Sequence, residues 1–481
     1  MASVVVVGAG ISGLTAAFYV EKFARDAGLE VETTVLEAAP RAGGKIRSEH
    51  YRGYVIEAGS NGFLDNKPFT LELCDHLGIS HRLLKSRDSA RRRFLYIDGR
   101  LRELPSSALG FLFSDIISWR GKLRMALEPF TKPAEEEDET IASFVRRHLG
   151  EEALRKLVAP MVSGVFAGDP YKMSLKSAFP VMAQLEKEGG GSLMRAALKR
   201  MRRAKEMKKK LAEAEKQGKR VYKPGSAAGP GGVLTSFPEG IEYLTKTLAS
   251  RMGKGLLLGR AAASVERAGD EYVVHLAKRG SVAGDAVVVA APAYAAAEML
   301  SALDSKVAEE LAGIPYTKLA VVAFGYERSE IGHPLEGFGF LVPHEEGKTI
   351  LGCLWDSSMF DHRAPEGKVL LRMMVGGARA EEKAMLSDEE LIEACRHDLR
   401  DTMGIEAEPE MVRIYRHRRA IPQYLVGHAA RLERIEKRLR NYPGIFLTGN
   451  AYRGVGINDC VHQAREAAKR AVEFLKAREG R

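Results

Sequence analysis

Cysteine is scarce in this chain. There are four in 481 residues: Cys74, Cys353, Cys395 and Cys460. They lie far apart with no CxxC pair, which argues against a disulfide framework or a zinc cluster and leaves four packing residues. Long apolar runs are absent too. The longest, Ala286 to Ala297, is broken by Pro292 and falls well short of the about 20 residues that a membrane-crossing helix needs. No basic leader or processing site precedes the strand pattern that begins at Ser3, so a reducing, cytoplasmic location is expected. Repeats and long low-complexity tracts are missing as well. With 45% hydrophobic and 28% charged residues, the composition predicts a soluble protein of two or three domains.

Acidic excess is lacking. The net charge is +10, and Arg195 to Lys223 alone carries 13 Lys/Arg against 3 Glu, so the rest of the chain is neutral overall. Such concentration argues against the diffuse positive surface of a nucleic-acid binder, and no nucleic-acid partner is expected. Apolar Leu193, Ala197, Ala204, Leu211 and Ala214 among these cations predict a long basic helix. It reads either as plainly solvated or as lying on an anionic membrane surface, a peripheral contact.

What the sequence does contain begins at Val4 to Glu37. Strand Ser3 to Val7, the turn Gly8-Ala9-Gly10-Ile11-Ser12-Gly13, a helix from about Ser12 to Ala27 and a strand from Val31 to Leu36 make a βαβ half-unit. In that setting GxGxxG lets backbone amides and a helix N-terminus approach a pyrophosphate. Glu37 can accept from ribose hydroxyls and would repel a 2′-phosphate, which disfavours NADP. Four residues on, Arg41-Ala42-Gly43-Gly44-Lys45 adds a glycine pair flanked by cations. Near the other end, a strand at Gly444 to Thr448, a glycine loop and a helix from Asp459 to Arg478 supply a second helix N-terminus.

Between these ends, Pro68 to about Leu193 is expected to be mostly helical, with pieces at Pro68 to Gly78, Thr140 to Leu149 and Glu151 to Val162. A further helix is expected over Gly240 to Met252. Glu271 to Leu276 and Asp285 to Ala291 read as a hairpin, and strands at 319–325, 350–355, 368–375 and 411–415 as a second, mixed or antiparallel sheet. His417 and His428 have no acid to pair with in the sequence pattern and read as surface or core residues.

The glycine turns, Glu37 and the RxGGK segment resemble the FAD-dependent amine oxidase and desaturase superfamily. Arg93 to Tyr96, Gly164 to Asp169, Gly337 to Pro343, Met374 to Gly377, Ile421 to His428 and Gly449 to Cys460 narrow the resemblance to its protoporphyrinogen oxidase family. That resemblance implies an α/β fold: a Rossmann-like FAD-binding domain at 1–67, 230–300 and 440–481, an inserted helical region at 68–229, and a mixed-sheet substrate-binding domain at 301–439. It implies tightly held FAD in contact with Gly8, Ala9, Gly10, Ile11, Ser12, Gly13, Glu37, Ala38, Gly43, Gly44, Lys45, Gly59, Ser60, Asn61, Gly62, Val265, Val455, Gly456 and Ile457. Arg93 would pair with a substrate propionate, while Gly164, Leu341 and Met374 would line a macrocycle pocket.

The implied reaction is oxidation of protoporphyrinogen IX to protoporphyrin IX in haem biosynthesis. It takes three two-electron rounds, each reoxidised by O2 with release of H2O2. The flavin carries the chemistry, so no catalytic side chain is assigned and no metal is expected. A coproporphyrinogen III oxidase forming coproporphyrin shares almost every motif, and a non-catalytic flavin or tetrapyrrole carrier is the reading from another class. Amine oxidases and carotenoid desaturases stand further off. Two departures are visible: Ser60 and Gly62 stand where relatives usually have Pro and Ser, and Arg416 where many have an aromatic near the flavin.

Overall fold

A computed structural model of the chain describes residues 1–202 and 232–479. Its first sheet is parallel, in the order Leu256–Leu258, Val31–Glu37, Ala2–Val7, Ala286–Val289, Ile445–Leu447. Val4 to Val7 are all buried because both faces of this sheet are covered, as parallel sheets require. Val4 and Val6 face the packed pair of helices Ile11–Asp26 and Ile457–Glu479. Val5 and Val7 point the other way, with period two, into a core shared with the small antiparallel sheet Ala262–Ala268, Glu271–Leu276, Ser281–Gly284.

The hairpin expected between Glu271 and Ala291 is therefore corrected. Glu271–Leu276 pairs antiparallel with Ser281–Gly284, whereas Ala286–Val289 passes into the parallel sheet between Ala2–Val7 and Ile445–Leu447. The physical reason lies in the run itself: all four residues of Ala286–Val289 are fully buried, the signature of a central parallel strand rather than of one with a solvated face.

The second sheet has seven strands, in the order Met411–His417, Leu319–Glu327, Lys368–Gly376, Ile350–Trp355, Gly339–Leu341, Phe94–Ile97, Arg100–Glu103. Only the Gly339–Leu341 and Phe94–Ile97 pair runs parallel. The expectation that 68–193 is mostly helical missed the hairpin at its edge. Asp98 and Gly99 both take positive φ, 53° and 73°, the two-residue turn that an Asp-Gly pair favours. One face of the sheet is closed by helix Asp388–Met403.

The helix expected over Glu151 to Val162 is three pieces, Glu151–Ala153, a wider π turn at Leu154–Val158, and Ala159–Phe166 with Pro160 in its first turn. Proline has no N–H to give to the preceding turn, so it sits where a new helix begins. Helix Phe69–Leu77, helix Ile141–His148 and helix Glu242–Met252 lie within the expected bounds. Residues 193–202 are helical; the remainder of the expected basic helix lies outside the described residues. No helix among the described residues is long and apolar enough to cross a membrane.

Candidate functional site: a glycine-walled cleft facing an apolar sheet

Backbone packing makes the first turn obligatorily glycine. Gly8 has φ +101°, and a Cβ on Gly13 would lie 1.7 Å from the Gly8 carbonyl oxygen. Helix Ile11–Asp26 starts at Gly10 with no side chain capping it. Its first N–H groups and their partial positive charge are thereby left for an anionic ligand. The Gly43 N–H donates to the Ala9 carbonyl (2.8 Å), and a Cβ on Gly44 would come within 3.2 Å of Gly10 Cα. The two glycine turns thus form one continuous backbone wall. At the end of the second strand the Glu37 carboxylate accepts from the Ala9 N–H (2.7 Å) and the Ala39 N–H (2.8 Å). These bonds fix its orientation and leave lone pairs on both oxygens for hydroxyl donors. Ala38 follows on the same strand end. Val265 is wholly buried among Leu36, Val5 and Val7, so its side chain packs the core under that end.

Lys45 projects from the glycine wall into the cleft. Its ammonium donates to the Ala420 carbonyl and lies 5.0 Å from the Tyr316 ring centre. It has no carboxylate partner among the described residues. Burial by the surrounding protein lowers its pKa to about 8. Cys460 itself is inert, because burial pushes its pKa up to about 12. All four cysteines are free and buried. The second helix N-terminus enters here: Gly454, with φ +97°, donates to the Tyr424 hydroxyl (2.9 Å), and Val455 packs on the core that holds Tyr424 and Phe166. Gly456 and Ile457 then lead into helix Ile457–Glu479.

Opposite lies the turn Gly59-Ser60-Asn61-Gly62. A Cβ at 62 would meet the Thr235 carbonyl oxygen at 2.2 Å, so the departure from serine follows from the pairing of Phe63 with Thr235. Asn61 donates from Nδ2 to Asp356 (3.1 Å), while its Oδ1 is buried and unpartnered. A cation without an acid and a buried acceptor without a donor, around a wall of bare backbone, are what a dinucleotide with a polar ring system would satisfy.

The substrate-side residues come together on the face of the second sheet turned away from helix Asp388–Met403. Leu341, Gly352 and Met374 occupy one register row across three strands, placing Leu341 and Met374 about 10 Å apart. Both are half-buried, and Gly164 lies over Leu341, where a Cβ would approach its Cδ2 to 2.8 Å. Arg93 sits at the edge of this sheet, half-buried, its guanidinium 5.3 Å from the Phe338 ring centre. In the run Arg91-Arg92-Arg93 the first two are paired, with Asp88 (3.1 Å) and with Glu103 (2.8 Å) and Glu336 (2.9 Å). Arg93 alone has no acidic partner among the described residues, and burial lowers its pKa.

Arg416 does not face the cleft. It pairs with Asp388 and donates to the Leu386 carbonyl, on the opposite side of its strand from Tyr415 and His417. His417 and His428 are held by the Ala58 carbonyl (2.7 Å) and the Tyr452 carbonyl (3.0 Å), neither by an acid; burial lowers the pKa of both.

Sequence reasoning missed a set of buried charges, Glu57, Asp356, Arg363 and Arg372, that ties the 57–61 turn to the second sheet. They stand far apart in the chain with no local pattern to mark them. It also missed the exposed apolar side chains beside the helical region, Trp119 (68% exposed) and Phe130 (82%) with Leu109, Phe113 and Leu123.

A glycine wall together with an apolar sheet face suits a flavoprotein oxidoreductase, and residues 11–472 match the flavin-containing amine oxidoreductases. The chain belongs to that family and is an FAD-dependent oxidoreductase. It is 33% identical to the coproporphyrinogen III oxidase of Bacillus subtilis (strain 168), over 98% of this chain and 98% of that one. It is also 33% identical to the chloroplastic protoporphyrinogen oxidase of Oryza sativa subsp. japonica, over 98% of this chain and 89% of the relative. Among solved structures, a protein of Exiguobacterium sp. 255-15 assigned as a protoporphyrinogen oxidase superposes with a TM-score of 0.80, at 27% identity and with 99% of each chain covered.

Proposed function

We propose that this protein oxidises a porphyrinogen to the porphyrin in haem biosynthesis, with protoporphyrinogen IX as the substrate. The carrying observation is Arg93: a half-buried guanidinium with no acid among the described residues, two positions before Leu95, the residue that continues the row Leu341, Gly352, Met374. An apolar macrocycle with its two propionates on one edge complements that arrangement. The FAD contacts are those of the glycine wall, Glu37, Lys45, the 59–62 turn and Val455 to Ile457. FAD, when bound, supplies the hydride acceptor for a methylene bridge of the substrate.

The chain's own part is binding and exclusion. The Leu341 and Met374 side chains and Gly164 hold the macrocycle, Arg93 fixes its edge, and the apolar surroundings keep bulk water from the reacting carbon. The adjacent pyrrole N–H loses its proton to water, and no side chain is assigned as base. O2 is the acceptor proposed for the reduced flavin, with H2O2 released. The division into an FAD unit (1–67, 230–300, 440–481), a helical region (68–229) and a substrate unit (301–439) belongs to the same proposal, with strands 94–103 joined to the substrate unit.

A second reading, coproporphyrinogen III, is favoured by the Bacillus subtilis relative, which matches at full length. The deciding assay supplies each porphyrinogen under air and follows porphyrin fluorescence and peroxide. Faster turnover of coproporphyrinogen III selects the second reading. A bound yellow flavin with neither product formed would overturn both porphyrinogen readings.

We also propose a peripheral contact with an anionic membrane surface. Trp119, Leu123, Phe130, Met194 and Leu198 are exposed on adjoining elements, with the exposed cations Arg120, Arg195, Lys199 and Arg202 beside them. The Glu128 carboxylate joins these elements by accepting from the Leu193 N–H (2.6 Å) and the Met194 N–H (3.0 Å). Aromatic side chains ringed by Lys and Arg suit a lipid interface. The proposed place is the cytoplasmic face.

A further inference from the structure

Four charged side chains are buried together where the cleft meets the second sheet. Glu57 and Arg363 are 3.1 Å apart and Asp356 and Arg372 are 2.8 Å apart, with none of their side chains more than 2% exposed. Buried charge is costly unless fully paired, so such a set calls for a reason beyond stability. The donors of Arg372 divide in two directions. Nε (2.8 Å) and Nη2 (3.3 Å) hold the two oxygens of Asp356, while Nη1 donates to the carbonyls of Glu57 (2.8 Å) and Gly59 (2.6 Å). Asp356 accepts in turn from Asn61 Nδ2 (3.1 Å). Glu57 and Gly59 are thereby tied directly to strand Lys368–Gly376, and Asn61 is tied to it through Asp356. Two residues along that strand, on the same face, stands Met374.

We propose that Arg372, oriented by Asp356, is a positioning residue that fixes the 59–62 turn against strand Lys368–Gly376 and so sets the spacing between flavin and macrocycle. The proposal rests on the reading that this turn meets the flavin and Met374 the macrocycle. Glu57 is secured independently by Arg363, by Ser48 Oγ (2.6 Å) and by the Ile241 N–H (2.9 Å). Losing the Arg372 fork therefore loosens the turn beyond residue 57 rather than the strand before it. Lysine cannot replace the fork: a single ammonium cannot serve a carboxylate and two carbonyls lying in different directions.

The test compares wild type with Arg372→Lys and with Asp356→Asn, the latter keeping size and shape. Amide exchange over residues 58–62 is measured on the FAD-free chain, with residues 319–327 as the internal reference. On the holoenzyme, visible circular dichroism of the flavin, kcat and KM are measured. Expected are at least tenfold faster exchange confined to 58–62, an altered flavin band, and kcat down at least tenfold with KM within about twofold. Unchanged exchange overturns the fork, and faster exchange across both segments makes the residues merely structural, which also overturns it. A loosened turn with an unaltered flavin band and kcat removes the turn from the flavin, sinking this proposal and that part of the site together. A wild type that oxidises no porphyrinogen fails the functional reading alone, since exchange and flavin band still decide the fork.

Discussion

Lys45 offers a prediction in which stability and cofactor affinity move in opposite directions. Protein packed around its stem lowers the pKa to about 8 from an ordinary 10.5. Charging it in the FAD-free chain therefore costs free energy, which is relieved as the pH rises from about 8 to 10.5, because the unfolded chain holds the proton over that window. The gap of about 2.5 units, at about 1.4 kcal/mol each, sets a ceiling of about 3 kcal/mol. The ammonium is open to water in the cleft, and screening reduces that to about 1 kcal/mol.

Bound diphosphate or flavin would favour the charged lysine. FAD binding then takes up a proton above pH 8, and Kd rises about five- to tenfold between pH 7.5 and 9.5. Lys45→Met should stabilise the FAD-free chain by up to about 1 kcal/mol at pH 7, weaken FAD binding about tenfold, and flatten the pH dependence. Fluorescence titration of FAD with apoprotein and urea unfolding of the apoprotein measure both quantities. A wild-type Kd independent of pH over this range, or a Met variant with the same slope as wild type, would refute the reasoning.

Arg93→Ala should lower kcat/KM for the preferred porphyrinogen by about 10- to 100-fold, the loss of a charge-assisted contact worth about 1.5 to 3 kcal/mol, with flavin content unaffected; unchanged kinetics would leave Arg93 as a solvated cation. Glu128 accepts from His148, Ser192 and two backbone N–H groups. Burial alone would raise its pKa, but these bonds outweigh it and hold the pKa below the usual 4.5. Its stabilisation is thus present above pH 4.5 and lost as pH falls through the lowered value, and Glu128→Gln should destabilise the helical region by about 2 kcal/mol. Limited proteolysis near residue 193 against pH reads both effects, and a Gln variant as resistant as wild type would contradict them. Flotation with anionic liposomes should be salt-sensitive, and should fall both in a Trp119→Ser, Phe130→Ser variant and when residues 195–223 are replaced by a short neutral linker; equal flotation by all three proteins removes the membrane contact.

The glycine wall was legible in the sequence because its constraints are local. Gly8 and Gly13 are required by contacts within a six-residue turn, where a Cβ on Gly13 would overlap the Gly8 carbonyl, and the flanking period-two strand and helix fix what that turn joins. The same locality explains the misreadings. Ala286–Val289 and Glu271–Leu276 are both apolar strands, and only burial on two faces rather than one decides which sheet each enters. The hairpin at 94–103 carried an Asp-Gly turn, yet strands this short become stable only against the Gly339–Leu341 edge, over two hundred residues away. Arg91, Arg92 and Arg93 are chemically equal in the chain; Asp88 pairs with Arg91 locally, but only tertiary structure gives Arg92 two acids and leaves Arg93 with none among the described residues. Arg372 and the Glu57 and Gly59 carbonyls lie over 300 positions apart. Their hydrogen bonds depend on how two sheets dock, a relation that no local spacing encodes because electrostatic partners are chosen by distance in space rather than along the backbone.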